Sequence, residues 1–261
     1  MILSTHGIVN SGGVSYDADA LSFITAATIT DTTQKTAVNT LVTDLKAANI
    51  WTKMKALYPF VGGTAAQHRF NLKDPRTVDA AFYLDFIGGG THSSTGYKGN
   101  QTTAYANTKF TGLSNNSCIS YYNKYTGLDN TNIIMGVYDP PDVNTAVISN
   151  LNGNSIFTIR SNTNTQYSST ANAGFWVANR QSQTNFNAWH NGVKTGTNTT
   201  SSSASTQVQA LFLNGYNSGS AEYLSKSECA LASISDGLTD GEATAFYTAV
   251  QAYQTTLNRQ V

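Results

Sequence analysis

The chain has 261 residues, and its 15 Lys+Arg balance its 15 Asp+Glu, so the formal net charge is zero. No stretch concentrates the basic residues, which argues against a nucleic-acid partner, because that needs a cationic face to neutralise phosphates. No run approaches the ~18 apolar residues of a membrane span. Charged residues make up only 11% of the chain, against roughly 25% in an ordinary soluble domain. Polarity comes instead from 36 Thr, 25 Ser and 26 Asn, a composition suited to strands and tight turns. A net charge near zero also favours association.

Residues 1–15 are small and polar and end in Ser11-Gly12-Gly13-Val14-Ser15. They read as an extended arm, ordered against a partner. Met1 to Gly7 contains neither a basic stretch nor an apolar core of signal-peptide length, so the expectation is a soluble protein made in a cytoplasm. Asp17-Ala18-Asp19-Ala20 opens a short helix carrying Leu21, Phe23 and Ile24. Asp31-Thr32-Thr33-Gln34 has the pattern of a capping box, with Gln34 reaching back to the cap. Behind it Val38, Leu41, Val42, Leu45 and Ala48 keep helical spacing. Asn49-Ile50-Trp51 breaks that period, and Met54, Leu57 and Tyr58 resume it up to Pro59. Residues 16–78 therefore read as a helical segment and connector.

From residue 79 the pattern turns to β. Expected strands are 81–86, 118–122, 133–138, 155–160, 174–178, 186–190, 208–213 and 230–234. Asn191-Gly192 is the strongest hairpin signal, because both central positions of a type I′ turn need positive φ. Residues 195–206, almost pure Thr, Ser, Asn and Gly, read as a mobile loop or a polar edge strand. Thr239-Asp240-Gly241-Glu242 is a second capping box, followed by Phe246, Val250, Tyr253 and Leu257 on one helical stripe. Helices, then strands, then one helix predict a mainly β, antiparallel β-sandwich with an N-terminal helical segment and a C-terminal helix. Cys118 and Cys229 read as buried thiols, with a disulfide left open.

The segment 79–261 resembles the concanavalin/laminin-G-like jelly-roll family. The resemblance rests on Ala188-Trp189-His190-Asn191-Gly192-Val193, on Leu211-Phe212-Leu213-Asn214-Gly215, and on the ending Ala232 through Glu242. The helical part, Leu45-Lys46-Ala47-Ala48-Asn49-Ile50-Trp51 through Tyr58-Pro59-Phe60-Val61-Gly62-Gly63 and Asn71-Leu72-Lys73-Asp74-Pro75, resembles a segment found ahead of this sandwich in phage tail, fibre and head-surface proteins. The resemblance implies a non-enzymatic virion structural protein, assembled in the bacterial host cytoplasm and displayed on capsid or tail. Its partners would be other virion proteins and other copies of itself, a trimer by analogy with fibres, with cell-surface or environmental glycans as adhesion targets. Laminin-G and legume-lectin domains often hold calcium in acidic clusters. Acids are sparse here, so neither a calcium site nor any cofactor is expected.

The residues carry little catalytic signal. There is no Gly-x-Ser-x-Gly elbow and no Cys–His signature, and His6, His68, His92 and His190 are widely spaced, as turn or surface residues would be. Asp139, Asp142, Asp236 and Asp240 read as turn and capping residues. Glycoside hydrolysis needs two carboxylates flanking the bond. Asp85 is the one acid inside the expected strands, and Glu222 and Glu228 border a loop. Sugar binding needs aromatic faces with amides beside them. Trp189, His190, Asn191, Asn214 and Tyr216, with Trp176 and Asn217, supply both if they converge; otherwise both Trp are core residues. A lectin-like glycan-binding module outside the virion is thus the alternative, and a polysaccharide-degrading enzyme the lesser one.

Overall fold

The structure is a computed structural model that describes residues 15–127, 133–140, 143–151, 154–168 and 173–261. Apart from Ser15, the arm expected at 1–15 lies outside the described residues. The chain begins with α1 (Ala18–Ala26) and α2 (Thr32–Ala47). The Asp31 carboxylate accepts from Gln34 N at 2.8 Å, as the capping pattern requires. Gln34 does not reach back: its Oε1 accepts from Gly62 N at 2.7 Å and ties the helix to the exit loop instead. α2 ends where Asn49 turns left-handed at φ 58°.

A single 3₁₀ turn at Trp51–Lys53 leads into β1 (Met54–Tyr58), where a continuing helix was expected. Met54, Leu57 and Tyr58 fit helical spacing, but Ala56 is buried too. A short apolar run covered on both sides has no period to distinguish strand from helix. After the four-residue α3 (Ala65–His68) come the short strands β2 (Asp85–Ile87), β3 (Thr91–Ser93), β4 (Gly96–Lys98) and β5 (Tyr105–Asn107). Of the strand expected at 81–86, only Asp85 and Phe86 pair; Phe82 sits at φ 72° and breaks it. Then follow β6 (Ser117–Asn123), β7 (Ile133–Asp139), β8 (Val143–Leu151), β9 (Asn154–Thr158), β10 (Thr165–Ser168), β11 (Gly174–Ser182), β12 (Asn185–His190) and β13 (Val193–Asn198). The set closes with β14 (Phe212–Leu213), β15 (Tyr216–Asn217), β16 (Ala221–Glu222), β17 (Glu228–Ser235) and α4 (Asp240–Thr256). The strand expected at 208–213 shrinks to β14 because the Asp139 carboxylate accepts from Val208 N (3.0 Å) and Gln209 N (2.8 Å) in place of a ladder.

The strands form two sheets. The inner sheet runs β13-β12-β11-β6-β17-β4-β3, with β1 also pairing β17. The outer sheet runs β10-β9-β8-β7-β14-β5-β2, with β15 on β7 and β16 on β15. All described pairings are antiparallel except β15 with β7. The expected mainly β sandwich with helices at both ends is what the chain forms.

The layers follow from strand alternation. In β11, Trp176 and Ala178 point between the sheets, while Phe175 and Val177 point to the helices. Ile119, Tyr121, Ile234, Val137, Phe157 and Leu213 complete the core between the sheets. Phe23, Leu41, Leu45, Trp51, Phe246 and Val250 cover the far face of the inner sheet. α4 carries a complete capping box between Thr239 and Glu242 and sets Phe246 edge-on against Phe175, with centroids 5.2 Å apart. The buried Arg259 guanidinium then donates to Phe60 O at 2.9 Å and to Pro59 O and Ala230 O at 3.2 Å, fixing the end of the chain to the Pro59–Phe60 turn. Both cysteines are free and buried. Cys118 pairs Ser235 and Cys229 pairs Asn123, at opposite ends of the β6–β17 ladder, so they do not meet.

Two further arginines hold the polar loop. β13 takes residues 193–198 as an edge strand. Beyond it Arg180, 1% exposed, donates to Ile159 O (2.7 Å), Gln183 O (2.8 Å) and Thr200 O (3.4 Å). Arg160 donates to Leu113 O and Ser203 O, both at 2.9 Å. Burial, with Arg160 close by, brings the Arg180 pKa down to about 10. Arg180→Met removes the donors and leaves buried carbonyls unpaired, at about 1–3 kcal/mol each where water cannot reach them. The expected loss is about 3 kcal/mol of unfolding free energy in a denaturant titration; a loss under about 0.5 kcal/mol would mean the guanidinium holds nothing.

Candidate functional site

The helical layer covers one face of the sandwich, and the outward face of the outer sheet carries a separate apolar cluster. On β7 the outward positions include Ile133, Gly136 and Tyr138. Ile133, Ala146 of β8 and Tyr216 of β15 form the cluster, with Tyr138 against it. Gly136 makes this possible. A Cβ there would stand 2.6 Å from the Tyr216 ring and 2.8 Å from Ile133 Cγ2, so only glycine lets the ring lie on the strand.

Around the cluster lies an open cavity of about 690 Å³. Its aromatic wall is Tyr138, Tyr216 and Tyr223. Tyr138 and Tyr216 lie nearly parallel, 10° apart with centroids at 6.3 Å, and Tyr223 meets Tyr216 edge-on at 6.2 Å. Tyr216 is fixed by its hydroxyl, which donates to Asn144 Oδ1 at 2.7 Å. Burial raises its pKa, so the phenol stays protonated. Tyr223 is 57% exposed and holds φ 48°, while its carbonyl accepts from Ile133 N at 3.1 Å.

The polar wall is Asn144, Asn162, Asn164, Ser218 and Glu222. Asn162 and Asn164 sit on the turn joining β9 to β10. That turn is held by Ser161 N donating to Asn144 O (3.1 Å), Thr158 Oγ1 to Ser161 O (2.7 Å) and Arg160 N to Thr145 Oγ1 (3.0 Å). Aromatic faces beside a few fixed amides are the equipment for a polyhydroxylated ligand. Glu222 is the one carboxylate among the described residues that line the cavity, whereas glycoside hydrolysis uses a pair.

The five residues singled out in the sequence do not converge. Trp189, 3% exposed, faces the helices, and Trp176 lies between the sheets. His190 stacks on Trp176 at 3.7 Å and donates its Nε2–H to Ala173 O at 3.0 Å. Asn191 forms the hairpin turn and accepts from Phe175 N at 2.8 Å. Asn214 is fully buried, accepting from the Tyr121 hydroxyl and donating to Ser227 O at 2.9 Å. Asn217 donates to Ala210 O at 2.8 Å. Tyr216 alone of the five lines the cavity. Tyr138, Tyr223, Asn144, Asn162 and Asn164 were not singled out; the lone Gly136 in an apolar strand was the available signal of a close approach.

Other candidate groups resolve as structure. His68 and His92, expected at turns or the surface, meet at 2.9 Å between their Nδ1 atoms inside a cluster with Phe60, Phe86 and Tyr97. Burial holds His68 down to about 3, with His92 and Arg259 adding to the effect, and burial lowers His92 as well, so one neutral ring donates its Nδ1–H to the Nδ1 of the other. Glu222 and Glu228, expected to border a loop, lie in β16 and β17, and Asp139 ends β7. Asp236 pairs Lys55 and Asp240 pairs Lys194; Asp142 lies outside the described residues. Among the described residues no group of three or more His, Cys, Asp and Glu is arranged to hold a metal. No helix there is long and apolar enough to cross a membrane.

No protein-family model and no curated protein matches the sequence. Solved structures do. Domain 4 of AbnA, an extracellular GH43 arabinanase from Geobacillus stearothermophilus, in complex with arabinotriose, is similar at a TM-score of 0.53 and 14% identity, over 74% of this chain and 98% of that one. A Trypanosoma rangeli sialidase in complex with sialic acid gives 0.56 at 11% identity, over 82% of this chain and 39% of that one. Botulinum neurotoxin type C, described as entering cells through interaction with two ganglioside molecules, gives 0.52 at 10% identity, over 78% of this chain and 53% of that one. The chain thus spans about half or less of the sialidase and toxin chains. At these identities the likeness establishes the β-sandwich.

Proposed function

We propose that this chain is a non-enzymatic, glycan-binding β-sandwich module whose ligand site is the tyrosine-lined cavity of the outer sheet. The observation that carries the reading is the set of three tyrosine rings that line one cavity together with Asn144, Asn162 and Asn164, on the face that the helices leave free. Sugars present an apolar C–H face and a rim of hydroxyls, and this wall offers a partner to each. The similar structures include an arabinotriose-bound domain and a ganglioside-dependent toxin, which supports a sugar over another small ligand. Among the described lining residues there is one carboxylate, Glu222, and hydrolysis uses two, which supports binding without hydrolysis.

A second reading concerns where the module works: as a homo-oligomer, a trimer by fibre analogy, on a phage capsid or tail. Its support is the sequence resemblance of 45–63 and 71–75 to segments of phage structural proteins. The helical layer would then be the attachment side, pointing the cavity outward.

Tyr223→Asn removes an exposed ring, and asparagine tolerates the left-handed backbone. The expected result on a glycan array is retained folding and about tenfold weaker binding, the 1–2 kcal/mol of ring surface no longer buried. Unchanged binding would place the site elsewhere. For the second reading, mass spectrometry and electron microscopy of purified particles are expected to find the chain as regular density on shell or tail; its absence from particles would remove that reading.

A further inference from the structure

We infer that the outer-sheet cavity selects uncharged glycans and turns away sialylated and uronic ones. This rests on the glycan-binding reading above. An anionic sugar leaves water for a protein site when a cation or a dense set of N–H donors meets its carboxylate. All fifteen Lys and Arg of this chain fall within the described residues, and none lines the cavity. The cations in the sandwich half are engaged elsewhere. Arg160 and Arg180 are held by backbone carbonyls. Lys98 and Lys226 lie over the Tyr125 ring at 5.9 and 5.4 Å. Lys109 pairs with Asp79, Lys124 with Glu228 and Lys194 with Asp240.

Outside the described residues, 1–14, 128–132, 141–142, 152–153 and 169–172 contain no Lys or Arg; the last four segments hold two more acids, Asp129 and Asp142, and the first holds His6. The charge that does line the cavity is the Glu222 carboxylate. A ligand carboxylate placed among Tyr138, Tyr223 and Asn164 would gain neutral hydrogen bonds and meet a like charge. A neutral oligosaccharide gains the same ring contacts and amide bonds without that opposition. The cavity thereby parts from the sialic acid and gangliosides named for two of the similar structures.

The test is a glycan microarray of matched pairs, each neutral oligosaccharide beside its sialylated or glucuronylated counterpart, probed with the full chain, Glu222→Gln and Tyr223→Asn. The expected result is retention on neutral members, with the anionic member of each pair weaker by about tenfold, the scale set by like charges about 10 Å apart at an effective dielectric of about 20. Glu222→Gln narrows that gap within each pair. Anionic members bound as well as or better than neutral ones, and lost in Tyr223→Asn, would overturn the charge inference while leaving the glycan site standing. Retention of no glycan, or retention indifferent to Tyr223, would overturn the glycan reading itself.

Discussion

The central strands β6, β11 and β17 of the inner sheet are buried on both faces, and most of the molecule follows from that. Helices α1, α2 and α4 lie on one side of β6, β11 and β17, and the outer sheet lies on the other. Side chains alternate along these strands, yet both sets must be apolar or hydrogen-bonded. The polar residues on them are accordingly paired: Ser120 with Ser233 at 2.6 Å, and Asn179 with both the N–H and the carbonyl of Leu238 at 2.8 Å. With its far face under helices, the inner sheet has no broad surface left for a ligand. The outward face of the outer sheet does, and the tyrosines and the cavity are there.

Scarcity of charge shapes both the core and the site. Three arginines, 160, 180 and 259, are buried, and their described hydrogen bonds run to carbonyl and amide oxygens, not to carboxylates. Each therefore acts as a multiple donor that ties backbone segments together: Arg259 the end of the chain to the Pro59–Phe60 turn, Arg180 and Arg160 the Ser- and Thr-rich loop to the sandwich edge. The same economy leaves a cavity whose described polar lining is amides, phenols, the Ser218 hydroxyl and one carboxylate. A surface rich in Thr, Ser and Asn and poor in Lys and Arg suits contact with sugars more than with anions.

Where a residue's local signal and its tertiary role agreed, the sequence could be read. Asn191-Gly192 adopts the two positive φ values its turn needs, Thr239 and Glu242 cap α4, and β6, β7, β11 and β12 fall where apolar runs predicted them. Met54 to Tyr58 went wrong because burial on both sides erases the period of two that marks a strand. Residues 208–211 went wrong because a distant carboxylate, Asp139, took the amides that a strand partner would have used. The site was the least legible part. Trp189 and His190 are neighbours in sequence and so point to opposite faces of β12, which no sequence motif can reverse. Tyr138, Tyr216, Asn162 and Glu222 come from four separate segments and meet only because β15 lies parallel on β7 over Gly136.

The central claim is that the free face of the outer sheet is where this protein meets its ligand. Amide hydrogen exchange, with and without saturation by an oligosaccharide that the chain retains, tests it most directly. The account predicts added protection at residues 133–138, 161–165 and 216–223, with the helical layer at 17–58 unchanged. Protection confined to the helical layer or to the Asn191-Gly192 hairpin would contradict it.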